Sequence, residues 1–101
     1  MEIKEIIKKE NKEELKKPYL YEVILLNDDY TTMDFVVEIL MEVFQKSRQD
    51  ASLIMLDVHL KGKGLVGVYS YDIAITKVMR VEELARENGF PLKADMYKVE
   101  Q

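Results

Sequence analysis

The run Tyr19–Leu26 (YLYEVILL) constrains this chain more than any other stretch. It is aromatic and branched aliphatic, closed in front by Pro18 and behind by Asn27-Asp28-Asp29. Such a run, bounded by turn residues, reads as a strand ending in an acidic loop. Thr31-Thr32-Met33-Asp34 then offers a capping box, with a threonine hydroxyl and the Asp34 carboxylate available to the first amides of a helix. Met33, Val36, Val37, Leu40, Val43 and Phe44 follow at i, i+3, i+4 spacing, which predicts a helix ending near Gln45 to Ser47.

The remainder alternates in the same way. A second helix is predicted from about Gln49 or Asp50 to Lys61, stopped by Gly62. It carries Ala51, Ile54, Met55 and Val58, with Leu53, Leu56 and Leu60 besides, and a helix so apolar is expected to be largely enclosed. Gly64–Tyr69 reads as a second strand. Ser70 or Asp72 caps a third helix over about Tyr71–Glu87, with Ala74, Val78, Val81 and Ala85 as its buried line and Asn88-Gly89 as its stop. A last strand runs from about Lys93 to Val99. The order β-α-α-β-α-β predicts an α+β fold, with three helices packed against a small three-stranded antiparallel or mixed sheet.

A chain of 101 residues holds one domain, and its core is modest. Residues 1–17 stand apart, with six lysines and five glutamates against few apolar residues, and read as a mobile charged extension of a core spanning 18–101. The net charge of −4 becomes −5 once this +1 segment is set aside, which argues against nucleic acid as a partner. There is no cysteine, hence no thiolate chemistry, and no apolar stretch resembles a signal peptide or membrane span. A cytoplasmic protein is the expectation, with no membrane partner.

Residue chemistry alone leaves the site open. Asp28 or Asp29 with His59, the only imidazole, forms an acid–base couple, but no nucleophile elbow or phosphate loop accompanies it. Gly62-x-Gly64-x-x-Gly67 matches a dinucleotide fingerprint as a string, yet it precedes a strand rather than opening a helix. One histidine without cysteine is a poor zinc set, and the loop lacks the order of a calcium-binding hand. The chain is therefore read as a non-enzyme without metal or cofactor. Two acids beside a helix N-terminus also complement its dipole, a lone histidine is commonly structural, and Met33 and Met55 serve equally as core filler.

Four separated segments, NDDYTTMDFV, IMLDVHLKGKG, GVYSYDIAITKV and ARENGFPL, together resemble the ClpS family of Clp protease adaptors, which recognise substrates of the bacterial N-end rule. The resemblance spans about residues 18–99. It implies an adaptor that binds N-degrons, the exposed first residues of substrates, and hands them to the N-terminal domain of a ClpA-type AAA+ unfoldase working with the ClpP protease. It implies that Asn27, Asp28 and His59 hold the free α-amino group, that Thr31 holds the substrate backbone, and that Met33, Val36, Met55, Val58 and Leu92 line the side-chain pocket. Asp72 and Lys77 would dock the unfoldase. Asp29 is left over by this assignment and is read as a helix-capping or loop-shaping residue. The implied ligands carry N-terminal Leu, Phe, Tyr or Trp, with Met33 disfavouring Ile and Val at the pocket mouth. Thr32 stands where the family often has proline, and Asp57 where it usually has a small residue, next to the Met55/Val58 wall, so that an exposed Asp57 adds a charge near the site. The alternative is a regulatory module of the same fold that docks on a partner without reading N-termini.

Overall fold

The computed structural model describes residues 19–100, so the extension of residues 1–17 lies outside the described part. The elements run β1 (Leu20–Leu26), α1 (Met33–Glu42), α2 (Arg48–Lys61), β2 (Lys63–Ser70), α3 (Tyr71–Glu87) and β3 (Lys93–Lys98). This is the predicted β-α-α-β-α-β order. The sheet is fully antiparallel in the order β2-β1-β3, so the opening run is its central strand. Val23 and Leu25 of β1 are completely buried in the core, while Ile24, between them, points to the opposite face. No helix among the described residues is long and apolar enough to cross a membrane.

The three helices supply the other side of the core: Phe35, Val36, Val37, Ile39 and Leu40 from α1, Ala51 and Val58 from α2, Ala74, Val81 and Ala85 from α3. The boundaries of α3 fall as the sequence predicts. Ser70 holds its N-cap position without a side-chain bond, and Asn88 closes it ahead of Gly89 at φ 77°. Asp72 lies in the first turn, where its charge suits the helix dipole.

Three expectations require correction. First, α1 ends at Glu42, several residues early, because Gln45 adopts a left-handed φ of 53° that halts the helix without a glycine. The Lys77 ammonium donates to the Val43 carbonyl at 2.7 Å and so satisfies this end from α3. Second, the capping box is half formed: Thr32 caps α1 by accepting from the Phe35 amide at 3.1 Å, which leaves Asp34 one position too early to reciprocate. Third, α2 is not enclosed. Leu53, Leu56 and Leu60 are 59%, 43% and 74% exposed, since a single layer of helices leaves nothing outside α2 to cover its outer side.

The cap of α2 is Ser47, a residue the periodicity did not single out, whose hydroxyl accepts from the Asp50 amide at 3.1 Å. Removing it with Ser47→Ala is expected to cost about 1 kcal/mol of stability. Urea unfolding measures this as a lower midpoint with an unchanged slope.

Candidate functional site

β1 ends at Leu26, and Asn27 begins the loop that turns the chain into α1. The Asn27 amide donates to the Gly62 carbonyl at 2.9 Å, which ties the loop's start to the end of α2. Gly62 takes the left-handed conformation, φ 89°, that stops α2 and allows this close approach. The acidic loop, the N-terminal turn of α1 and the C-terminal half of α2 therefore meet. Between them lies an open cleft of about 520 Å³ lined by Asn27, Asp28, Asp29, Tyr30, Thr31, Thr32, Met33, Val36, Met55, Val58 and His59.

Eight of the residues singled out in the sequence thus share one cleft: Asn27, Asp28, Thr31, Met33, Val36, Met55, Val58 and His59. Val36 and Val58 are buried, while Met33 is half exposed at the mouth. Leu92, expected on the pocket wall, is instead buried in the core and is not among the lining residues. Asp57 does not line the cleft either. It pairs with Lys61 at 3.3 Å in an exposed contact, one turn apart on α2, and adds no charge to the cleft wall.

The two aspartates divide their work in a way that the sequence leaves hidden. The Asp28 carboxylate accepts from the Tyr30 amide at 2.8 Å, the Thr31 amide at 2.7 Å and the Thr31 hydroxyl at 2.6 Å. Partial burial pushes this carboxyl up, but the three hydrogen bonds outweigh it and hold the group below its usual range. Asp28 is thus the loop-shaping acid. Asp29, expected in that role, is exposed and makes no hydrogen bond among the described residues.

This arrangement leaves a definite set of unused valences. Asp28 keeps its charge and about one lone-pair site, and Asp29 keeps a whole carboxylate. Thr31 has spent its only hydroxyl proton on Asp28, so towards a ligand its oxygen can only accept. The Asn27 side chain and the His59 ring make no hydrogen bond among the described residues. One end of the cleft is therefore rich in acceptors and negative charge, and the other is apolar. No group of three metal-ligating side chains occurs among the described residues.

On α3, Asp72 is exposed, but Lys77 is engaged. Besides the Val43 carbonyl it reaches the Gln45 amide oxygen at 3.3 Å, and its ammonium lies 5.5 Å from the ring centres of both Phe44 and Tyr69. A lysine held in this way braces α3 against the end of α1.

Comparison with known proteins agrees with this fold. The profile of the family described as ATP-dependent Clp protease adaptor protein ClpS matches residues 16–95. The chain is 64% identical over 96 residues to the ATP-dependent Clp protease adapter protein ClpS of Acetivibrio thermocellus, covering 95% of this chain and 97% of that one. It is 54% identical over 88 residues to the protein of the same name from Clostridium acetobutylicum, covering 87% of each. Among solved structures, that of Agrobacterium tumefaciens ClpS2 bound to L-phenylalaninamide superimposes with a TM-score of 0.79 at 40% identity, over 81% of this chain and 99% of that one. With the fold, the order of its motifs and these relatives in agreement, the chain belongs to the ClpS family of ATP-dependent Clp protease adaptors, which are not enzymes.

Proposed function

We propose that the cleft captures the first residue of a substrate protein by its free ammonium group and a large apolar side chain: Leu, Phe, Tyr or Trp. The observation that carries this reading is the pairing, in one cleft, of unused acceptors with an apolar floor. An α-amino group, with a reference pKa of about 8, is mostly an ammonium at neutral pH, with three donors and no acceptor. Asn27 offers an amide oxygen, His59 a ring nitrogen, and Asp28 its remaining lone pair. Asp29 adds a free carboxylate to the same rim. Met33, Val36, Met55 and Val58 take the side chain, and the Thr31 oxygen accepts the next backbone N–H.

The L-phenylalaninamide held by the Agrobacterium relative carries these same two features, a free α-amino group and a benzyl side chain. Burying one such side chain yields roughly 1.5–3 kcal/mol, so the ammonium contacts supply much of the rest. Delivery follows by docking on the N-terminal domain of a ClpA-type unfoldase serving ClpP. Of the two α3 residues, Asp72 is exposed and free to make that contact, and Lys77 acts mainly by bracing the surface beside it.

Titration with two peptides that differ only in a free or acetylated N-terminal Phe tests the proposal. An acetylated peptide would cover these acceptors without giving them donors, at roughly 1–3 kcal/mol each, so affinity should fall about 100-fold or more. Equal affinity for the two peptides would overturn the first-residue reading in favour of a docking module that ignores N-termini.

A further inference from the structure

We infer that Gly64, which lies behind the cleft wall, is a positioning residue that sets the cleft's width and with it the preference among large N-terminal side chains; this rests on the first-residue reading above. Gly64 is a buried residue of β2, paired with Leu25 of β1 two positions before Asn27. A Cβ at this position would stand 2.8 Å from Val58 Cγ2, 3.1 Å from the Ile54 carbonyl oxygen and 3.3 Å from the Val58 nitrogen. The backbone of α2 thus lies directly on the strand, with no side chain between them. The requirement is for space, since two of the three neighbours are backbone atoms that no rotamer change can move.

Val58 is the residue through which this packing reaches the ligand. It is 2% exposed, it touches the empty position beside Gly64, and it lines the cleft. Seating a methyl group there requires α2 to shift by a few tenths of an ångström at Val58. The end of α2 cannot follow freely, because the Gly62 carbonyl is bonded to the Asn27 amide. The α2 side of the apolar floor, with His59 beside Val58, therefore moves relative to Asn27 and Asp28 on the loop. Side-chain choice should change while the demand for a free amine persists. Gly67 provides the contrast: the three atoms nearest an added Cβ there all belong to the Tyr69 side chain, which does not line the cleft.

The test titrates free and acetylated peptides beginning with Phe or Leu against the full chain and its Gly64→Ala and Gly67→Ala variants. Gly64→Ala is expected to change the Phe-to-Leu affinity ratio by about threefold or more, in line with the effect of small volume changes in apolar pockets. It should still reject the acetylated peptides, and Gly67→Ala should leave the ratio unchanged. A second pair, Val58→Ala with and without Gly64→Ala, removes the crowded γ carbons and stays informative if Gly64→Ala alone folds poorly. In that background the two backbone contacts remain, so the added methyl should still change the ratio, by less than in the native chain. A Phe-to-Leu ratio that does not respond to Gly64→Ala in either background overturns the inference. Failure of the native chain to distinguish free from acetylated peptides instead overturns the first-residue reading itself.

Discussion

Asp28→Ala is expected to lower affinity for a free N-terminal Phe peptide about 100-fold, more than the loss of one charge explains. The carboxylate gathers the Tyr30 amide and both polar groups of Thr31 into one turn. Its removal frees the loop that carries Asn27, and it strips a negative charge from the site of the ammonium. Losing two contributions of roughly 1–1.5 kcal/mol each gives the stated factor. Asp28→Asn keeps an acceptor for the two amides but not the charge, and should cost about tenfold. Asp29→Asn, which disturbs no hydrogen bond, measures the free carboxylate alone. Equal losses for Asp28→Ala and Asp28→Asn would show that only the charge matters.

The same carboxylate gives a signed dependence on pH. Its folded pKa is depressed, so its stabilising contribution is present above the unfolded value of about 4 and is lost as pH falls through the lower folded value. The difference in melting temperature between the native chain and Asp28→Asn should therefore be constant near neutrality and shrink in acid. A difference that grows on acidification would contradict the hydrogen-bonded turn.

The two aspartates mark where sequence reading stops. Both acids are adjacent, equally charged and equally able to cap or to bind, so composition and spacing cannot rank them. Only the direction of the chain after β1 decides, by turning Asp28 back onto Tyr30 and Thr31. The strands and α3 were legible because their punctuation is strong: Pro18 and the acidic loop around β1, Asn88-Gly89 after α3. The end of α1 was not, because Gln45 takes a conformation that sequence rules assign to glycine. Ser47 carries no comparable signal as a cap, since it lies outside the apolar stripe of α2. In the sequence Lys77 is a docking candidate, and only its distance to the Val43 carbonyl reveals the brace. The gathering of the acidic loop and His59 in one cleft needed the family resemblance, because the two segments are separated by the whole of α1.

The exposed outer side of α2 gives the second large effect, as a contrast between two leucines. Leu40 of α1 is completely buried, whereas Leu60 of α2 is 74% exposed. Leu40→Ala leaves a cavity in the hydrophobic core and should cost about 2–5 kcal/mol. In a domain of this size that corresponds to a melting temperature lower by at least about 10 °C. Leu60→Ala removes as many atoms from a side chain that is largely in water already, and should change stability by no more than about 0.5 kcal/mol. Its neighbour His59 stays in place because the last turn of α2 is held by Gly62 and not by Leu60. Thermal unfolding of both variants decides between the two pictures of α2: a helix enclosed on all sides, as its composition suggests, would make Leu60→Ala nearly as damaging as Leu40→Ala. A near-native melting temperature for Leu60→Ala, with Leu40→Ala far below it, is the outcome that a single helical layer requires.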